Sequence, residues 1–289
     1  EFAYVFGASA DGQTLAGVGG SFLTFNRLDA FRLPLATGQR EILPNTTEYP
    51  SAFFFNSISG DGRIVAGAIA DRDIDPADLA DEPRYAAVVW TPGDTIIVAP
   101  NSSESYVNDL SFDGSVAVGS MKMGSFNAVP FRWTAATGAE VLPGTDTLLQ
   151  GSDSAEGRAV SADGSVIVGN RTVFGQIDTR AILFTPELGL RDLETALTDF
   201  YGLGDAIAGW QLTSLWDVSA DGRTIVGTGL NPQGCTQAFL VVLGTPCPAD
   251  LTGDGFVDDA DFVLFAGAYG LFTVPPADAS SDFNGDGFV

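Results

Sequence analysis

The chain has 289 residues, 45% of them apolar, with 37 acidic and 13 basic side chains, a net charge of -24 and no histidine. That apolar share supports a packed core and excludes wholesale disorder, while the charge repels nucleic acid and anionic lipid. No apolar run reaches the length of a membrane-spanning helix.

The first strand-like stretch, Glu1-Phe2-Ala3-Tyr4-Val5, leads into Ser9-Ala10-Asp11-Gly12. The same phrase returns as Ser59-Gly60-Asp61-Gly62, Ser111-Phe112-Asp113-Gly114, Ser161-Ala162-Asp163-Gly164 and Ser219-Ala220-Asp221-Gly222, at steps of 50, 52, 50 and 58 residues from Asp to Asp. A period of that size marks a repeat architecture, in which each unit buries its apolar face on its neighbours. Each phrase is preceded by an apolar stretch and followed by a β-branched one, such as Arg63-Ile64-Val65-Ala66-Gly67 or Ser165-Val166-Ile167-Val168-Gly169. Asp-Gly between two such runs predicts a hairpin, because Gly accepts the positive φ of a tight turn and Ser and Asp bond nearby amides. Hairpin chemistry accounts for the five aligned acids without a ligand.

A third strand follows in each unit: Ala30-Phe31-Arg32-Leu33, Ala87-Val88-Val89-Trp90, Pro130-Phe131-Arg132-Trp133, Ala181-Ile182-Leu183-Phe184 and Ala238-Phe239-Leu240-Val241. Short fourth strands come after it at Glu41–Leu43, Thr95–Val98 and Glu140–Leu142. The column Leu33, Trp90, Trp133, Phe184, Val241 predicts sheet-to-sheet packing, worth about 1.5–3 kcal/mol per buried side chain; a sugar-stacking platform is the alternative. Four antiparallel strands per unit predict a mainly β fold, a five-bladed β-propeller-like array spanning residues 1–244. Its blades fall at about 1–50, 51–103, 104–152, 153–210 and 211–244. The fifth unit lacks an obvious fourth strand, and Glu1–Val5 is expected to fill that place and latch the ring; an open stack of five units is the competing arrangement.

Two stretches depart from the period. Asp71–Glu82 is an acidic loop whose Pro76 stands where a calcium loop needs Gly, and it reads as solvated. Leu193, Leu197 and Phe200 have helical spacing inside an insertion of the fourth unit. Cys235 and Cys247 could form a disulfide, which would indicate an oxidising compartment. The triplets at Asn45, Asn101 and Asn170 match glycosylation acceptors.

These repeats resemble the HAF family of bacterial extracellular repeats, built on phrases like Val160–Gly169 and Val218–Gly227 followed by an Ala-Phe-Arg-Trp strand, over residues 1–243. The resemblance implies a secreted or surface location and supplies no catalytic residues.

From residue 245 the composition changes. Asp250, Thr252, Asp254, Asp258 and Asp261 occupy loop positions 1, 3, 5, 9 and 12, with Gly255 at position 6 and the Phe256 carbonyl at position 7. Calcium takes six to eight hard oxygen ligands, and this spacing wraps such a set around one ion. Residues 261–270 predict an amphipathic helix ending at Gly270. A second loop begins with Asp282, Asn284, Asp286 and the Phe288 carbonyl and stops at its eighth position, so the chain is expected to be part of a longer protein. The segment 247–289 resembles a type I dockerin of the planctomycete kind, a small α calcium-loop module. That resemblance implies calcium-dependent folding and docking through residues 245–289; no cohesin partner is carried over with it.

With no histidine, no nucleophile turn and no phosphate loop, the expectation is a protein without enzymatic activity. The expected role is that of an extracellular structural or adhesive scaffold, with calcium as its cofactor. Its partners are a second copy, giving a head-to-tail filament, or another surface or matrix protein reached through the tail. A carbohydrate-binding propeller with a glycan partner is the first alternative and a glycan-acting hydrolase the second, the latter marked by a buried acid pair of raised pKa.

Overall fold

The computed structural model describes residues 2–20, 28–70, 84–123, 126–174, 178–243 and 259–268. The fold is mainly β. Its first sheet holds β1 (Phe2–Ala8), β2 (Thr14–Gly20), β3 (Asp29–Pro34) and β4 (Glu41–Ile42) in that order, all antiparallel. The second holds β5 (Ser51–Ile58), β6 (Val65–Ala70), β7 (Tyr85–Thr91) and β8 (Asp94–Ile97). The third holds β9 (Ser105–Leu110), β10 (Val116–Met123), β11 (Phe126–Thr134) and β12 (Gly138–Val141), followed by the short α1 (Thr145–Leu148). The fourth holds β13 (Ser154–Val160), β14 (Ile167–Val173), β15 (Asp178–Thr185) and β16 (Gly189–Asp192), and then α2 (Leu193–Asp199). The fifth has three strands among the described residues: β17 (Gln211–Val218), β18 (Thr224–Leu230) and β19 (Thr236–Val242). Last comes α3 (Asp259–Ala268).

Each Ser-x-Asp-Gly phrase turns the chain between the first two strands of its sheet, and two side chains hold the turn. Ser9 Oγ donates to Asp11 Oδ1 at 2.6 Å, while Asp11 Oδ1 accepts from Gln13 N–H and Ser9 Oγ from Thr14 N–H. The same three bonds recur at Ser59/Asp61, Ser111/Asp113, Ser161/Asp163 and Ser219/Asp221. Gly62 takes the left-handed φ of 72° that the turn demands. A second glycine explains the end of the β-branched run. A Cβ on Gly119 would lie 1.9 Å from the Tyr106 carbonyl oxygen, because a register shift in β9 brings that backbone close.

The turns also touch one another. The residue between Ser and Asp donates its amide to the matching residue of the next unit: Ala10 to Gly60 (2.9 Å), Gly60 to Phe112 (2.7 Å), Phe112 to Ala162 (3.1 Å) and Ala162 to Ala220 (3.0 Å). Sheet faces pack in the same succession. Ala16, Val18 and Ala30 meet Val65, Val88 and Trp90; Ala66, Ala87 and Val89 meet Val107, Ala117 and Trp133. Val116 and Val118 meet Ile167 and Phe184, and Val168 and Leu183 meet Leu215 and Ile225. Two arginines of the third strands reach across as well. Arg32 donates to the Gly62 and Arg63 carbonyls and Arg132 to that of Gly164, each pinning the following turn.

Two expectations are corrected. The leading segment does not complete the fifth sheet: β1 pairs with β2, Tyr4 opposite Val18, as the ordinary first strand before the first turn. Nor is α3 amphipathic, for its adjacent residues Phe262, Val263 and Leu264 are all exposed and its apolar side chains are spread around the helix. Among the described residues no helix is long and apolar enough to cross a membrane.

The turn contacts give a paired test. Gly12→Ala and Gly62→Ala both force a left-handed φ, at about 1–2 kcal/mol each. Only at Gly62 does the new methyl press on the preceding unit, 2.7 Å from Thr14 Cβ; at Gly12 nothing lies within 4 Å. Thermal unfolding should show the larger loss for Gly62→Ala, and equal losses would mean that the turns carry no coupling between units.

Candidate functional site

The first strands β5, β9, β13 and β17 run beside one another, and their polar side chains cross from unit to unit. Asn56 Nδ2 donates to the Val107 carbonyl at 2.6 Å, and Asn108 Nδ2 to that of Gly157 at 2.8 Å. Between them Asp109 joins three sheets. Its Oδ1 accepts from Ser57 Oγ at 2.8 Å and its Oδ2 from Val160 N–H at 3.0 Å. Burial pushes the Asp109 carboxyl above the usual range, hydrogen bonds from Ser57, Val160 N–H and Leu110 N–H oppose that, and the charge of Asp217 on β17 adds to the rise.

Alongside lies a cavity of about 290 Å³ lined by Asn56, Tyr106, Asn108, Ser120 and Glu156, every one a hydrogen-bonding side chain. Glu156 is held by Arg158 Nε at 2.8 Å, and Tyr106 donates to Glu104. A larger hollow of about 540 Å³ lies near α1, with Arg171, Asp153 and Phe174 on its walls. There the Arg171 guanidinium is gripped by both oxygens of Asp192, at 2.6 and 2.8 Å, with Asp153 at 3.8 Å, so its charge is matched within the protein. The smaller cavity is the candidate site, because its polar groups, the Glu156 carboxyl among them, face open space.

The residues singled out from sequence divide clearly. Asp11, Asp61, Asp113, Asp163 and Asp221 stay in their own turns, where hydrogen bonds hold each carboxyl below the usual range, and they do not gather. Trp90 and Trp133 are 1% and 6% exposed, and Trp90 Nε1 donates to the Pro44 carbonyl of the preceding unit; they serve packing and present no face to a sugar. Of the glycosylation triplets, Asn170 is buried and accepts from Leu215 N–H, and the Asn45 amide is engaged by the Pro50 carbonyl, whereas Asn101 is exposed. Cys235 is exposed, and Cys247 lies outside the described residues. So do the acidic loop Asp71–Glu82 and the calcium positions Asp250, Thr252, Asp254, Phe256, Asp258, Asp282, Asn284, Asp286 and Phe288; Asp261 sits in α3 with its side chain undescribed. Among the described residues no cluster of three metal-ligating side chains occurs.

Sequence reading missed the cluster at Asp109. Asn56-Ser57 and Asn108-Asp109 stand at matching places just before their turns, and that polar pair in an otherwise apolar strand was the available signal.

No protein family and no curated protein matches the sequence. Solved structures do share the fold. A prolyl endopeptidase, studied for the role of inter-domain dynamics in catalysis and specificity, aligns with a TM-score of 0.52 and 12% identity, over 84% of this chain and 34% of that one. The chain thus spans about a third of that enzyme's length. TolB from Agrobacterium tumefaciens aligns with a TM-score of 0.49 and 15% identity, over 84% of this chain and 78% of that one. An oligogalacturonate lyase in complex with manganese gives 0.48 and 17%, over 80% and 62%. Identities this low speak to fold alone. They nevertheless correct the expectation of a protein without enzymatic activity. An enzyme, the prolyl endopeptidase, shares the fold, so the fold gives no ground for that expectation.

The two sets of acids act in separate pH windows. The turn carboxyls have lowered folded pKa values, so their stabilisation is present above about 4, the unfolded value, and is lost as pH falls below it. Asp109 is raised, so its cost is absent below that value and grows as pH climbs toward its folded pKa. Asp109→Asn, which keeps a carbonyl for Val160 N–H and turns an amide toward Ser57 Oγ, should gain stability relative to wild type as pH rises from about 4 to neutrality. Unfolding midpoints that run parallel in the two proteins across this window would refute the assignment.

Proposed function

We propose that the five sheets are blades of a β-propeller-like body that serves as a scaffold in a secreted or surface-attached assembly, joined to partners by a calcium-binding C-terminal module. The observation that carries this reading is the unbroken series of turn-to-turn bonds from Ala10 to Ala220, which makes five separate sheets one stiff unit. The tail adds the attachment. Its oxygen spacing at Asp250, Thr252, Asp254, Asp258 and Asp261, and its likeness to dockerin modules, support calcium as the ion. In this reading the tail engages a second copy or another matrix protein. Asp254→Ala removes a central ligand of the first loop, and titration calorimetry with calcium should show that site lost. Binding undiminished by the substitution would end the calcium reading, and so would assemblies that EGTA leaves intact if the tail alone is what joins them.

A second reading is favoured by the polar cavity. Asn56, Asn108, Ser120 and Glu156 offer the mixture of donors and acceptors that hydroxyl-rich glycans require. Glu156→Gln keeps the shape and removes the charge, so glycan-array binding or polysaccharide cleavage by the wild type should weaken at least severalfold in the variant. Signals equal in the two proteins would place any glycan elsewhere.

A further inference from the structure

Every internal sheet is covered on both faces, whereas two faces remain at the ends of the series. In each unit one face of the sheet meets the preceding unit and the other meets the following one. Val89 and Leu183, at one third-strand position, lie on the following-unit face and are fully buried. The same position in the fifth unit is Leu240, which is 62% exposed, with Val242 beside it at 60%. These residues pair across to Val226 and Thr224 of β18, so they form one outward apolar face.

The first sheet mirrors this. Its preceding-unit face carries Leu15 opposite Leu33 and Val5 opposite Gly17, with Ile42 opposite Phe31. The corresponding column is buried at Trp90, Trp133 and Phe184, each seated on the unit before it. Here Val5 is 50% and Ile42 49% exposed and Leu15 and Leu33 are half-buried, while Phe31 in the middle of the face is buried, with the Arg40 guanidinium over its ring. Among the described residues no extensive contact joins the first sheet to the fifth, and no bond returns from the Ala220 amide to the Ala10 carbonyl. The two faces therefore do not cover each other within one chain.

We infer that they meet between chains: the fifth sheet of one copy packs on the first sheet of the next, repeating the face-to-face contact made four times within the chain. The occupant is a second copy because the missing partner of each face is a surface of the type found at the other end. Such a contact is heterologous, so it propagates head to tail instead of stopping at a symmetric pair. The inference rests on the scaffold reading above but locates self-association in the body, independent of calcium and of the tail.

The test uses the full chain in EGTA, followed by sedimentation velocity over a wide concentration range. Wild type should grow with concentration into species larger than dimers. Leu240→Asp and Ile42→Asp, both at exposed positions, should each remain monomeric while keeping the wild-type circular dichroism. Mixed in equal amounts they should form dimers and nothing larger, since each retains one intact face. If either aspartate variant fails to fold, Leu240→Gln and Ile42→Gln should weaken association at least tenfold. Wild type monomeric at every concentration would overturn the inference. So would assembly that both variants leave unchanged. A monomeric wild type whose unfolding midpoint falls in both variants would also overturn it, because the faces would then close within one copy. Assembly abolished by EGTA yet untouched by Leu240→Asp sinks this inference and leaves the calcium tail standing; assembly persisting in EGTA and lost in Leu240→Asp does the reverse.

Discussion

Each sheet is too small to bury its own apolar residues, and the arrangement depends on how successive sheets are held in register. That task falls to the amide of the residue between Ser and Asp in each of the first four turns, which bonds the matching carbonyl one unit further on. A backbone bond contributes only about 0.5–1.5 kcal/mol, so the series matters less for its energy than for its geometry. It sets the offset between neighbours at one end of each sheet, and the apolar columns then interlock along the rest. The Ser and Asp side chains fix the turn so that its amide points outward to the neighbour and not back into its own loop.

Polar side chains do comparable work on the first strands. Asn56, Asn108 and Asp109 spend their hydrogen bonds on the neighbouring backbone, and Asn170 does so between the fourth and fifth sheets. A buried carboxylate is a costly way to join strands, since burial disfavours its charged form. Asp109 offsets that cost with two donors from two different units, while the acid that lines the neighbouring polar cavity is Glu156. The fold it sits in is shared with a peptidase, and a fold by itself does not fix a function.

The apolar faces left at the two ends follow from the same logic that covers the internal ones. A unit whose leading face needs a predecessor and whose trailing face needs a successor cannot terminate itself unless its end residues change. Arg32 and Arg132 show what a polar residue does at the trailing position, reaching over to the next turn, but the fifth unit carries Leu240 there. Its exposure is the structural reason for seeking the next partner in another copy.

Much of the fold was legible in the residues themselves. Asp-Gly turns, β-branched runs and the third-strand phrases place most strands of the five units, because hairpin formation is local and depends on a few residues of special φ or side-chain chemistry. The insertion helix was legible for the same reason, Leu193 and Leu197 falling on one buried face. The candidate site was not, since Asp109 becomes unusual only when Ser57 and Val160, each about fifty positions away, arrive on either side of it. The pairing of β1 was misjudged because strand partners are selected by long-range packing, on which a short apolar stretch is silent. By its own pattern, then, the sequence determined the repeat, its turns and its strands, all of which need only neighbouring residues. Which faces are covered, which stay bare and which acid loses its water were decided by tertiary structure alone, because burial is a property of distant segments brought together.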